Sequence, residues 1–163
     1  MNHETFDFLK ALEETPSVSG FEQPVARIIR KRMKEYADEI TTDVHGNLIV
    51  VLNPRATPRV MLAGHMDQIG MMARFVTDEG YIYFGNVGGI DATVLPGSDV
   101  TVHSAKGPVQ GVIGRKPVHL MKPDEKGSGK VDSNDLWIDI GAKNKADALE
   151  RMAIGDSITY RLV

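Results

Sequence analysis

Two residues near the middle of the chain have the types and the spacing that metal chemistry requires. His65 and Asp67 follow residues 59–63, whose apolar run Val60-Met61-Leu62-Ala63 predicts a buried strand. Side chains alternate along a strand with period two, so both should point to the same side. A neutral imidazole can ligate a metal, and a nearby carboxylate can orient that imidazole. Because open α/β sheets place their chemistry at strand ends, we predict half of a metal site here.

The sequence does not point to the other ligands of such a site. A catalytic zinc takes three protein ligands and a water, but the other four histidines have no ligand-like spacing to His65. They are His3, His45, His103 and His119. Four aspartates are also available, although hydrogen bonding in turns and at strand ends is the commoner role for such residues. They are Asp91, Asp135, Asp139 and Asp156.

Two further kinds of catalytic or binding motif are missing from the sequence. No Gly-x-Ser-x-Gly turn occurs, so a serine hydrolase would have no nucleophile elbow. Residues 85–89 are rich in glycine but are not followed by the Lys-Ser/Thr pair of a phosphate-binding loop.

Composition limits the class of protein. The 163 residues carry a net charge of −3, 42% hydrophobic residues and no cysteine. Scattered Lys and Arg residues argue against nucleic acid as a partner, and no apolar stretch is long enough to span a bilayer. The amino terminus lacks a basic start and an apolar signal region. These features lead us to expect a soluble cytoplasmic protein without disulfides.

The first seventy residues show the pattern of an α/β layer. Apolar residues at helical spacing predict helices over residues 4–14 and 22–36, separated by a loop at 15–20. Strands are then expected at 40–44 and 48–52, joined by the turn His45-Gly46-Asn47 in a hairpin-like arrangement. A third strand, over residues 59–63, would deliver His65 to its site.

After Gly70 the sequence consists of short strand-like runs punctuated by Gly and Pro. This pattern predicts a small β-barrel or sandwich with one helix, Lys143–Met152, and a polar surface loop at residues 122–130. The predicted strands are 71–76, 81–84, 93–95, 99–103, 108–113, 136–140 and 157–163.

Together these motifs resemble the tetrahedral metallo-aminopeptidases, the glutamyl aminopeptidase family whose members are often labelled endoglucanase. The segment Ala63-Gly64-His65-Met66-Asp67-Gln68-Ile69-Gly70 resembles the first metal-ligand motif of that family. The resemblance extends over nearly the whole chain through further segments in the same order. They are residues 17–22, 43–48, 90–97, 111–120, 135–142 and 154–156.

The resemblance implies an αβα catalytic domain interrupted by a small β-barrel lid that also serves subunit association. Residues 1–70 would form the amino-terminal part of the catalytic domain and 71–160 the lid. Residues 161–163 would begin the return to the catalytic domain, whose remainder lies outside this chain. The fold class expected is therefore α/β plus β, an incomplete half of the αβα domain followed by the lid.

The resemblance also implies chemistry. Two divalent metal ions, zinc or cobalt, would activate a water to attack a peptide bond. His65 would ligate one metal, and Asp67 would orient the site without binding directly. The family's remaining ligands follow the lid and have no counterpart before Val163. We therefore expect this chain to hold no metal firmly and to be inactive alone, although the complete enzyme would cleave amino-terminal residues from peptides.

Two alternatives remain open. The chain could act as a non-catalytic module that forms homo-oligomers through its β-rich half. The family's endoglucanase labels also raise glycoside hydrolysis, but a histidine at a strand end has no role in a two-carboxylate mechanism.

Overall fold

The computed structural model describes residues 2–121 and 131–161, which divide into two compact units, Met1–Gln68 and Ile69–Val163. The first unit contains two helices and one two-stranded antiparallel sheet. These elements are α1 (His3–Glu14), α2 (Gln23–Met33), β1 (Glu39–Thr42) and β2 (Leu48–Val51).

Local sequence signals explain where these elements begin and turn. The Asn2 side chain accepts a hydrogen bond from the Thr5 amide at 2.8 Å and so caps α1. A proline occupies the first turn of α2, where its missing N–H costs nothing. Asp43 accepts hydrogen bonds from the amides of His45 and Asn47, which closes the turn of the hairpin. The predicted helices and hairpin are therefore confirmed.

The strand predicted over residues 59–63 is not present. Val60, Met61 and Leu62 have no strand partner and are 81%, 87% and 94% exposed. Apolar residues at consecutive positions need cover on both faces and strand partners on both edges. In the described parts of the chain, β1 and β2 pair only with each other. Residues 59–63 therefore have, among the described residues, neither strand partners nor cover on their two faces.

The second unit is a closed six-stranded barrel, which confirms the barrel form of the prediction. The strand order around it is β3-β4-β7-β6-β5-β8, and all paired strands run antiparallel. The strands are β3 (Gly70–Val76), β4 (Ile82–Val87), β5 (Asp99–Ser104), β6 (Gly107–Arg115), β7 (Leu136–Asp139) and β8 (Ser157–Tyr160). A short helix, α3 (Lys145–Arg151), precedes β8.

The barrel holds nearly all of the buried apolar residues that the structure describes. Alternate residues of its strands point inward, and Ala148 and Met152 from the α3 region join them. In residues 2–68 the buried hydrophobic side chains are Val18 and Val25. The barrel core contains Met71, Ala73, Val76, Ile82, Phe84, Leu95, Val100, Val102, Ile113, Leu136, Ile138, Ile140 and Ile158.

One predicted strand in this region is wrong. Residues 93–95 lie at a single 3-10 turn, Ala92–Val94, and its end. Asp91 caps the turn by accepting hydrogen bonds from the Thr93 amide at 2.9 Å and the Thr93 hydroxyl at 2.7 Å. This local side-chain to backbone bonding competes with strand pairing, and Leu95 enters the core from the turn.

Two other predicted features involve residues that the structure does not describe. The loop predicted at residues 122–130 lies outside the described residues, as does the end of the strand predicted to reach Val163. Among the described residues, no helix has the length and apolarity needed to cross a membrane.

Barrel stability can be tested with a matched pair of isoleucines. Ile158 is fully buried opposite Met71 and Val102, whereas Ile154 is 52% exposed. Ile158→Ala should lower the free energy of unfolding by about 2–5 kcal/mol through lost burial and a residual cavity. Ile154→Ala should change it by no more than about 0.5 kcal/mol.

Urea unfolding followed by tryptophan fluorescence measures this difference, because Trp137 is the single tryptophan in the sequence and lies in β7. Equal losses in the two variants would contradict the assignment of Ile158 to the core.

Candidate metal-binding site

The imidazole of His65 lies against Asp67. Nδ1 of His65 is 2.9 Å from the backbone carbonyl oxygen of Asp67 and 3.2 Å from its Oδ1. Both oxygens only accept when the carboxylate is ionised, so Nδ1 carries the hydrogen and donates it. In the neutral ring this leaves Nε2 with the lone pair that a metal would use. The His65 side chain is 85% exposed, so solvent reaches the ring.

The carboxylate of Asp67 is in turn held by Ser19. The Ser19 hydroxyl donates to Oδ2 of Asp67 at 2.5 Å, while Oδ1 faces His65. This bond is the main reason that the pKa of Asp67 is lowered, with a smaller contribution from the nearby imidazole. The carboxylate is therefore stabilised in its ionised form, in which it can accept from both neighbours.

Ser19 belongs to a loop that is fastened to the residues after Asp67. Val18 forms a parallel bridge with Gln68, and the Gln68 amide donates to the Ser17 carbonyl at 2.9 Å. The Gln68 side chain donates to the Thr15 carbonyl at 3.1 Å. Ser17 and Val18 are buried, with 3% and 1% exposure. The loop thus brings Ser19 to the site.

Sequence reasoning placed Ser19 in the loop before α2 and in the family-like segment 17–22, but gave it no role. The signal was faint, because Ser19 and Asp67 are 48 residues apart and serine is common in loops. By contrast, the spacing of two residues correctly indicated that His65 and Asp67 lie on the same side, even though residues 59–63 are not a strand.

The remaining candidate histidines and aspartates do not join this site. Nε2 of His103 contacts the Thr159 hydroxyl at 2.8 Å in the barrel, and His45 lies in the hairpin turn. His3 begins α1, and His119 lies in a 3-10 turn.

Three of the four aspartates have the hydrogen bonds expected of turns and strand ends. Besides the Asp91 cap described above, Oδ1 of Asp139 accepts from the Gly141 amide at 2.8 Å. Oδ2 of Asp156 accepts from the Ala153 amide at 2.7 Å. Asp135 ends a 3-10 turn, Ser133–Asp135, directly before β7. None of these hydrogen bonds involves His65.

The potential metal donors that the structure describes around His65 are too few for a complete metal centre. Within residues 2–121 and 131–161, no group of three or more His, Cys, Asp or Glu side chains could hold a metal ion. A catalytic zinc site needs three protein ligands. His65 therefore fits one ligand position, and the described residues do not fit a complete centre.

The sequence model of the M42 glutamyl aminopeptidase family matches residues 46–162. The chain belongs to the M42 glutamyl aminopeptidase family. Among curated relatives of this M42 chain, the lysyl aminopeptidase of Pyrococcus furiosus is 33% identical over 146 residues. The match covers 89% of the chain and 42% of that relative.

Solved structures show the same M42 fold. The TET aminopeptidase from a marine sediment archaeon of the Thaumarchaeota superimposes with a TM-score of 0.90 and 36% identity, over 96% of this chain and 44% of that one. The Pyrococcus horikoshii TET1 peptidase, which can assemble into a tetrahedron or a large octahedral shell, gives a TM-score of 0.84 and 37% identity. That match covers 96% and 46%.

A third match has a different label. A Thermotoga maritima protein named as an endoglucanase has a TM-score of 0.78 and 31% identity, over 93% of this M42 chain and 44% of that one. Across these comparisons, the chain spans less than half the length of the relatives it matches.

The hydrogen bond from Ser19 should lower the pKa of Asp67 and make part of the stability of the fold depend on pH. Asp67 should titrate below the ordinary value of an aspartate side chain, and Ser19→Ala should move the midpoint back upward. Because the folded-state pKa is the lower one, this bond stabilises the fold above the unfolded-state pKa. Its contribution disappears as pH falls through the lowered value.

The measurement is an NMR titration of the Asp67 carboxyl carbon in the chain and in the variant. A midpoint at the ordinary value in the unsubstituted chain would show that Ser19 does not bind the carboxylate in solution.

Proposed function

We propose that this chain is the amino-terminal portion of a dinuclear metal-dependent aminopeptidase that removes amino-terminal residues from peptides. The observation that carries the proposal is the paired imidazole and carboxylate of His65 and Asp67, in a chain of the M42 family. Asp67 holds the ring by Nδ1, as carboxylates commonly hold the histidines that ligate metals. A cytoplasmic location remains part of this proposal.

His65 would hold one divalent ion through Nε2, and Asp67 would orient the ring without binding the ion. Zinc or cobalt would act as a Lewis acid and lower the pKa of a water. The other ligands would have to come from outside the described residues, because these supply one imidazole and no cluster of three donors. The contribution of this chain is thus one oriented ligand.

We propose the following domain organisation. Residues 1–70 are part of the catalytic domain, residues 71–160 form a lid, and residues 161–163 begin the return to the catalytic domain. Two observations support it: the chain spans less than half of its relatives, and Val60, Met61 and Leu62 are exposed. Further strands of the longer protein would pair with residues 59–63 and cover both of their faces.

The barrel also supports a second candidate function, assembly with copies of itself. Its surface includes exposed apolar residues in and beside the 3-10 turns, Val94, Val118 and Leu120. A structural relative can assemble into a tetrahedron or a large octahedral shell, which supports homo-oligomerisation of this protein, and the barrel is the interface that we propose. A glucanase function is weaker, because the site geometry consists of an imidazole held by a carboxylate and not of two facing carboxylates.

The chain alone should not hydrolyse an amino-acid anilide, even with added zinc or cobalt. One imidazole cannot hold two metals in a reactive geometry. The measurement is release of the chromophore, with the full-length Pyrococcus furiosus lysyl aminopeptidase as the active control. Turnover that Asp67→Ala and His65→Ala both abolish would contradict this expectation and would place a complete centre in the chain.

Residues 60–62 should cause the isolated chain to self-associate, since exposed contiguous apolar surface promotes association. Leu62 and Leu120 form a matched pair, 94% and 62% exposed in the two different units. Leu62→Lys should lower the mean mass measured by light scattering by more than Leu120→Lys does.

The reverse result would place the association in the barrel and would favour the assembly function. A strictly monomeric unsubstituted chain would count against an uncovered interface at residues 60–62.

A further inference from the structure

We propose that Ser19 is a positioning residue for metal binding by His65, acting through Asp67 to keep the imidazole in the tautomer that leaves Nε2 free. This inference deepens the proposed function and depends on it for the identity of the bound group. The hydrogen-bond chain itself is a property of the folded protein and can be measured without any metal.

The geometry lets Asp67 serve both neighbours at once. Ser19 donates to Oδ2 of Asp67 at 2.5 Å, and Nδ1 of His65 faces Oδ1 at 3.2 Å. Since the two contacts use different oxygens, the serine bond fixes the rotation of the carboxylate without displacing the imidazole. The backbone carbonyl that also accepts from Nδ1, at 2.9 Å, belongs to the same residue. Anchoring Asp67 therefore anchors both acceptors of the ring.

Anchoring matters here because the segment before the site has no support of its own. Residues 59–63 lack strand partners in the described parts of the chain, and His65 is 85% exposed. A histidine on such a segment would otherwise sample several orientations and both neutral tautomers. The hydrogen bond from Ser19 attaches Asp67 to a loop that is itself held in place.

The fixed part is the loop that carries Ser19. Its neighbours Ser17 and Val18 are buried, and backbone bonds join it to Gln68. At Gly20 the backbone has φ of +90°, which glycine adopts without strain, and the Gly20 amide donates to the Glu22 carboxylate at 2.7 Å. The chain is thereby turned directly after Ser19, and the hydroxyl is held toward Asp67.

The test is the tautomer of His65 in the metal-free chain, measured by long-range proton–nitrogen NMR at pH 8, where an ordinary imidazole is neutral. The unsubstituted chain should show mainly the Nδ1–H form. Ser19→Ala should shift the ring toward a mixture of tautomers, and Ser19→Thr, which keeps a hydroxyl, should retain the Nδ1–H form.

Two controls separate positioning from general disruption. Ser98→Ala removes a hydroxyl that donates to the Val94 carbonyl in the barrel, so it should leave the His65 signals unchanged. The amide signals of Gln68 in Ser19→Ala show whether the loop stays in place. If the loop opens in that variant, Asp67→Ala, with Ser19 intact, must shift the tautomer for the proposal to stand.

An unchanged tautomer in Ser19→Ala with an intact loop would overturn the proposal, because the backbone carbonyl of Asp67 alone would then suffice. Addition of Zn²⁺ tests the proposed function separately. Because the described residues supply one ligand, zinc should perturb the His65 ring signals only weakly, and less in Ser19→Ala than in the unsubstituted chain. A larger effect of zinc on another histidine than on His65 would contradict the role of His65 as a ligand, and the tautomer result would still decide the hydrogen-bond chain.

Discussion

Every β-strand must find partners for the N–H and C=O groups of its backbone, and this requirement separates the two units of the protein. Among the described residues of Ile69–Val163 the strands pair around a closed ring, so each strand has a neighbour on both sides and the apolar side chains fill the interior. In Met1–Gln68 only β1 and β2 pair, and two hydrophobic side chains are buried in the described residues. The candidate site, formed by Ser19, His65 and Asp67, lies in this first unit, which has fewer paired strands and fewer buried apolar side chains.

Much of the fold follows from local sequence patterns, because the barrel strands alternate buried and exposed residues and end at turns. The two wrongly predicted strands, residues 59–63 and 93–95, show where other interactions or missing strand partners override the local pattern. At Thr93 the strand-like residues form a 3-10 turn instead, because the Thr93 amide donates a hydrogen bond to the Asp91 side chain. At Val60 the apolar pattern is that of a buried strand, but strand formation depends on partners that the described residues do not provide.

The same distinction applies to the site. The contact between His65 and Asp67 could be predicted because two residues of separation leave few ways for extended backbone to arrange them. Ser19 could not be found in this way, since its contact with Asp67 depends on how a distant loop packs. Its neighbour Val18 is buried, which shows that packing, and not a local motif, brings the hydroxyl to the carboxylate.

The pairing of the first and last barrel strands has a consequence for the way this protein is built. Met71 lies opposite Ile158 and Met72 opposite Ser157, so the beginning of β3 is beside the end of β8. A polypeptide that enters the barrel at Gly70 therefore leaves it close to where it came in. A module with neighbouring termini can be inserted into a surface loop of another domain without forcing the flanking segments apart. It can likewise be replaced by a short linker, which makes the barrel a natural unit for excision and transplantation.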